Sequence, residues 1–317
     1  MMSNSTRTYH KLNQIMPSHR NSLHYIEYAA VHSFDDTLTF QVAEKGRSKE
    51  ISIPHRNIAG LLLGPGTSIT HKAAQKLRDA NICAMFVTGD GGSPLLWTAP
   101  DEYRPSEYCR AFLTIYYDEK RRDQAAKIFM SKRIEMVKKY WRKVITDISI
   151  IADLDQLCDD YLKSMSDKSG QALLLEEGRY TKQLYKLAAR AYNVSWNSRQ
   201  HHGQIDDTNA KLNHGNYLAY GVSNIAIYVL GIPYSLSLIH GSTRKGALVF
   251  DVADIFKDAI ILPAAFKAAA EGMSEKAFRS DILARIDSYG ILSTCLNTIK
   301  DAALLAEIPL DTQEIPF

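Results

Sequence analysis

Residues 98–105 read TAPDEYRP, and the chain changes its periodicity across them. Pro100 and Pro105 bracket a polar turn, the punctuation that closes one pattern of secondary structure and opens another. Upstream, from Ser22 to about Pro100, SLHYIEYAAV (22–31) and LTFQVA (38–43) carry the β-branched and aromatic residues that strands favour. AEKGRSKE (43–50), leading into ISIP, reads as a hairpin turn with Gly46 near its tip. IAGLLLG (58–64) and ICAMFV (82–87) have the length of buried strands, with a helical stretch HKAAQKLRDA (71–80) between them and PLLWTA (94–99) as a further strand. Downstream the pattern is helical. Ser106 stands as the N-cap of a helix running to roughly Trp141, and more helices are expected around residues 149–165, 171–192, 210–230, 251–270 and 275–305. NVSWNSRQHHGQIDDTN (193–209) reads as a mobile loop. The expectation is a β-rich domain over residues 1–100 and a larger helical domain over 101–317.

The bulk properties agree with a two-part globular protein. The chain has 317 residues, 45% hydrophobic and 23% charged, enough to bury a sizeable core. Cys83, Cys109, Cys158 and Cys295 form no CxxC pair, which disfavours a thiolate zinc site and a disulfide framework alike. The polar N-terminus and the absence of an apolar run of about 18 residues give no signal peptide and no membrane span, so a cytoplasmic protein is expected. LLLGPGTSITHKAA lacks both GxGxxG spacing and a P-loop lysine; Gly64, Pro65 and Gly66 read as a turn, with Ser68 or Thr70 as a helix cap. No GxSxG or HExxH is present.

Net charge is only +3, but the positive residues are gathered. Between Glu119 and Arg142 stand Lys120, Arg121, Arg122, Lys127, Lys132, Arg133, Lys138, Lys139 and Arg142, against Glu119, Asp123 and Glu135. Arg179, Lys182, Lys186 and Arg190 recur at spacings of three and four, one face of a second helix. A solvated face explains such stripes; so does a surface for phosphate backbones, which Lys and Arg bind without reading bases.

Candidate chemistry sits in HGSTRKGALVFDVADIFKDAIIL (240–262). Asp251 and Asp254, three apart, share one side of a helix that starts near Asp251, with Val252, Ile255, Phe256, Ala259 and Ile260 as its apolar face. The competing reading makes Asp251 a helix cap and Asp254 a partner of the positive helix end. Asp258 reads as solvent-exposed beside Lys257. His240 opens a loop, and Glu176 or Glu177 adds a third acidic position. An imidazole with carboxylates suits Mg²⁺ or Mn²⁺.

LLLEEGRYTKQLYKLAA, LNHGNYLAYG and HGSTRKGALVFDVADIFKDAIILPAAF, in this order and spacing, resemble the CRISPR-associated endonuclease and integrase of the spacer-acquisition complex. LLLGPGTSIT and the EYRPSEY junction look most like its subtype I-F branch. The resemblance implies an α+β chain, with an N-terminal β-sandwich-like domain that mediates dimerisation followed by a larger all-α catalytic domain. Glu177, followed by Gly178 and by Tyr185 eight positions on, matches the family's glutamate better than Glu176 does. His240 begins the HG turn, and Asp251 and Asp254 form the DxxD pattern. By resemblance Glu177, His240 and Asp254 hold a divalent metal, Mg²⁺ or Mn²⁺, with Asp251 in support. Lys132, Arg133, Lys138, Lys139, Arg179, Lys182, Lys186, Arg244 and Lys245 are the expected DNA contacts. The implied reaction joins the 3′-hydroxyl of a captured double-stranded fragment, the protospacer, to a strand of the CRISPR repeat, with hydrolytic nicking as its water-driven counterpart. The implied partners are a second copy of the chain and a small ferredoxin-like protein, fused to the helicase-nuclease effector in subtype I-F.

Overall fold

The computed structural model describes residues 20, 22–34, 37–44, 47–53, 58–88, 94–98, 106–200, 205–241 and 246–308. Its strands are β1 (Ser22–Ile26), β2 (Ala29–Phe34), β3 (Thr37–Glu44), β4 (Arg47–Ile53), β5 (Ile58–Leu63), β6 (Ser68–Ile69), β7 (Cys83–Val87) and β8 (Pro94–Thr98), with α1 (His71–Asp79) after β6. They form two four-stranded sheets, ordered β1-β5-β7-β8 and β4-β3-β2-β6. SLHYIEYAAV holds β1 and the start of β2, separated by Glu27 and by Tyr28 at φ 49°. The hairpin is present, β3 pairing antiparallel with β4 from Leu38↔Ile53 to Glu44↔Arg47; its tip, Gly46, lies outside the described residues. Thr70 is the cap of α1, its side chain accepting from the Ala73 N–H.

Every residue of β5 is buried because the strand serves two cores at once. Leu61 and Leu63 pack with Ile26, Val31, Leu38, Leu77 and Ala84 between the two sheets and α1. Ala59 and Leu62, with Cys83, Met85 and Val87 of β7, join the large helical core instead. A strand apolar on both faces loses the polar alternation of a half-exposed one.

The helices are α2 (Ser106–Tyr117), α3 (Glu119–Val144), α4 (Ile148–Met165), α5 (Gly170–Tyr192), α6 (Asp207–Val229), α7 (Ala247–Asp254), α8 (Lys257–Ala270), α9 (Glu275–Ser288) and α10 (Ile291–Ala303). An α+β chain, sheets first and helices after, is therefore what forms. Three expected long helices are pairs. Asp118 ends the first and caps α3, accepting from the Lys120 and Arg121 N–H groups; Gly290, at φ 60°, divides α9 from α10. The turn at residues 99–105 lies outside the described residues.

Helix α8 runs through the middle of the helical part, packed against α6, α3, α5 and α9. Its approach to α6 depends on Gly215, where a Cβ would stand 2.3 Å from Ile261 Cγ2 and 3.3 Å from Phe278 Cζ. Alanine in a helix interior gains about 1 kcal/mol over glycine, but overpacking costs about 1–3 kcal/mol, and a β-branched neighbour has little room to turn. Gly215→Ala is thus expected to lower the thermal midpoint; a rise would show that α6 and α8 are not in the contact described.

Candidate active site

The loop after α6 and the helix α7 are built around Asp251, which is wholly buried. Its Oδ2 accepts from the backbone N–H of Leu238 at 2.6 Å and of Ile239 at 3.3 Å. Its Oδ1 accepts from the His240 backbone N–H at 3.3 Å and stands 2.6 Å from His240 Nδ1. The expected helix start at Asp251 is therefore corrected: α7 begins after Gly246, at φ 67°, and Asp251 lies within it. Asp251 caps no helix; it satisfies the backbone of residues 238–240. Asp254 is the last residue of α7, at the negative end of its dipole, so the reading that paired it with a positive helix end also fails. An acid placed there needs another source of positive charge.

That source is Lys257 and Arg133. Lys257 Nζ forms a tight ion pair with Asp254 Oδ1. Arg133 Nη1 lies 2.7 Å from Glu177 Oε1 and 3.8 Å from Asp254 Oδ2. Its Nε donates to Asp258 Oδ2 at 2.8 Å, and its Nη2 pairs with the same oxygen. Asp258, read from the sequence as exposed, is 1% exposed. Trp141 Nε1 also donates to its backbone carbonyl at 2.8 Å, fixing the start of α8 against α3. His240 Nε2 faces Asp254 Oδ2 at 3.9 Å.

Helix α5, helix α7 and the segment after α6 thus supply Glu177, Asp254 and His240, Arg133 joining the first two and His240 facing Asp254, with Asp251 behind the imidazole. Among the described residues no three of the carboxylate and imidazole groups form a ready cage for a metal ion; Arg133 and Lys257 lie among them. The charge does not balance. Four carboxylates, Glu177, Asp251, Asp254 and Asp258, face two permanent cations, an excess of two negative charges when all four are ionised and the imidazole is neutral. The excess is smaller where burial, which raises Asp258, keeps that acid protonated or where His240, also raised, takes a proton. Burial pushes the Glu177 carboxyl up, and the charge of Asp254 adds to that, but Arg133 and Lys257 together hold the group below its ordinary value. Burial likewise opposes ionisation of Asp254, and Lys257, Arg133 and His240 together hold it down. Burial lowers His240, but the bond to Asp251 and the charge of Asp254 leave it raised. With Nδ1 committed to Asp251, Nε2 is the nitrogen turned toward Asp254, the arrangement of a carboxylate-oriented histidine ligand. An excess of acidic groups over side-chain cations, hard oxygen donors and an oriented imidazole fit a divalent cation.

The basic residues divide. Lys132 pairs with Glu135 at 2.9 Å, Lys138 with Asp159 at 2.5 Å and Arg179 with Glu176 at 2.6 Å. Lys139, over the Tyr140 ring, and Lys182 and Lys186 on α5 are exposed. Arg244 and Lys245 lie outside the described residues. Arg133 is no part of this surface: it is 2% exposed, in line with Phe129, Met130, Val137 and Tyr140 on the buried side of α3. Its helical spacing to those residues was the available signal. Thr181, four residues after Glu177, was missed as well; its hydroxyl donates to Glu177 Oε1 at 2.9 Å. The segment read as a mobile loop is tied down where described. Trp196 stacks on Tyr185 with centroids 5.1 Å apart, and Arg199 Nη2 donates to Asn213 Oδ1 at 2.6 Å.

Comparison with known proteins agrees along the chain. The family model described as CRISPR associated protein Cas1 matches residues 24–283. The CRISPR-associated endonuclease Cas1 of Pseudomonas aeruginosa is 37% identical over 311 residues, covering 92% of this chain and 96% of the relative. That of Pectobacterium atrosepticum is 34% identical over 310 residues, covering 92% and 95%. Among solved structures, a TtCas1–DNA complex superposes with a TM-score of 0.64 at 20% identity, covering 90% of this chain and 97% of that one. A casposase bound to integration product gives 0.65 at 17% identity, covering 90% of each. At these identities the structural likeness is one of fold. A family match over most of the chain, and a relative more than one-third identical along nearly its full length, carry the conclusion that this chain belongs to the CRISPR-associated Cas1 family.

Proposed function

We propose that this chain is a divalent-metal-dependent DNA endonuclease and integrase that inserts captured fragments into a CRISPR array. The observation that carries the site is the buried meeting of Glu177, His240 and Asp254 with more acid than the side-chain cations neutralise. Those three residues would hold the cation, Mg²⁺ or Mn²⁺. When bound, such an ion polarises a phosphate and offsets charge developing on the attacking and leaving oxygens.

The chain's own residues prepare that chemistry. Asp251 keeps the imidazole turned so that Nε2 faces Asp254. Lys139, Lys182 and Lys186 are free to meet the backbone of double-stranded DNA, with Arg244 and Lys245 near His240 in sequence. Lys132, Lys138 and Arg179 can exchange their surface carboxylates for phosphates, since exposed ion pairs contribute about 0–1 kcal/mol. The 3′-hydroxyl of the protospacer attacks a repeat phosphodiester, the new P–O bond forming as the P–O3′ bond of the repeat strand breaks. The assembly is a homodimer joined through the N-terminal sheets and bridged by a small ferredoxin-like partner, which a subtype I-F system carries fused to its helicase-nuclease. The work is done in the cytoplasm; no described helix is long and apolar enough to cross a membrane.

A second reading draws support from Arg133 and Lys257: a non-catalytic DNA-binding scaffold whose acids are ion-pair partners. The two readings part over the cation. A labelled 3′-hydroxyl duplex is offered to a repeat-bearing plasmid with the partner protein, in Mn²⁺ and in EDTA. Joining in Mn²⁺ that EDTA abolishes is the expected result. Salt-sensitive binding of equal strength in both, with no joining in either, would establish the scaffold.

A further inference from the structure

The geometry points to Arg133 and Thr181 as positioning residues that hold Glu177 by one oxygen, Oε1, and leave Oε2 for the cation. The inference rests on the reading of Glu177 as a cation ligand. Arg133 Nη1 donates to Glu177 Oε1 at 2.7 Å, and the Thr181 hydroxyl donates to the same oxygen at 2.9 Å. Arg133 Nη2 donates to Thr181 Oγ1 at 2.9 Å, which closes a ring of three hydrogen bonds and spends both the proton and an acceptor site of the hydroxyl. A carboxylate offers about four lone-pair sites, two to each oxygen. Both donors converge on Oε1, and among the described residues none is found on Oε2.

The clamp is only as firm as the guanidinium. Arg133 is held by Asp258 through Nε and Nη2, and its carbon lies 5.3 Å from the centroid of the Tyr180 ring. Asp258 is itself 1% exposed and fixed at its backbone by Trp141. A planar fork with donors on two edges can join Asp258 to Thr181 and Glu177 at once; a lysine ammonium carries the same charge on a point and cannot span them. Thr181 and Glu177 lie one turn apart on α5, so the hydroxyl reaches its carboxylate without bending the helix. Charge alone would be served by Lys257, already present beside Asp254; the fork supplies direction.

The test is Mn²⁺ binding to the full chain, followed by the paramagnetic resonance of free Mn²⁺, beside thermal unfolding in EDTA. The proteins are wild type, Arg133→Lys, Thr181→Val and Glu177→Gln. Affinity is expected to fall about tenfold or more in Arg133→Lys and Thr181→Val, the scale on which residues behind a metal ligand act. Wild-type affinity in either, while Glu177→Gln loses it, overturns the positioning role and leaves Glu177 its own. Wild-type affinity in Glu177→Gln removes Glu177 from the cation site and takes the clamp with it. Should Arg133→Lys fail to fold, Thr181→Val decides, because it deletes one hydroxyl and keeps the shape of the side chain.

Discussion

Replacing Asp254 by asparagine is expected to lower strand joining about 10³-fold or more while the fold survives. Several kcal/mol of charge stabilisation ride on a bound cation, and each 1.36 kcal/mol is about tenfold in rate. Asparagine keeps the shape of the side chain and removes one of the charges that make the cluster acidic. Lys257 loses its closest partner, yet its side chain retains 18% exposure and can turn toward water. The thermal midpoint in EDTA should therefore stay within a few degrees of wild type. Joining at the wild-type rate would remove Asp254 from the site; unfolding would make it a structural residue.

Asp251→Ala should behave in the opposite way, failing first as a protein. The substitution strips acceptors from the backbone N–H groups of Leu238, Ile239 and His240 and from the imidazole, all around a wholly buried position. A buried donor left unmade costs about 1–3 kcal/mol. The bonds at 3.3 Å are the weaker ones, so a total of about 3–5 kcal/mol is expected, against a typical stability of about 5–15 kcal/mol. Differential scanning calorimetry in EDTA should show a midpoint lower by roughly 10 °C. An unchanged midpoint would mean that residues 238–240 do not lean on this carboxylate. The DxxD pair thus separates into a residue that builds the loop and one that faces the cluster.

The sequence showed the strands and helices because hydrophobic periodicity and turn residues are local. LTFQVA and the helix HKAAQKLRDA are where their spacing put them, and the hairpin forms with a shorter turn than AEKGRSKE suggested, β3 running on to Glu44 and β4 starting at Arg47. The same reading ran α2 into α3 and α7 into α8, since an apolar stripe continues across a one- or two-residue break. Asp118 was nonetheless a cap in plain view. Asp258 and Arg133 were misplaced for a different reason: each was judged by its own charge and that of its neighbours.

What the sequence determined by itself was the order of sheets then helices, the family, and a short set of acids and one histidine from which a site could be made. Its limit was pairing over distance. Arg133 meets Asp258 across 125 positions and Glu177 across 44; nothing local marks a buried arginine as the partner of acids so remote. Only the tertiary structure decided that α3, α5, α7 and α8 converge, and that burial is tolerable because each buried charge finds a cation or a hydrogen-bond donor beside it. A buried ion is stable only with its partners in place, and those partners are set by the packing of helices, not by their sequences taken one at a time.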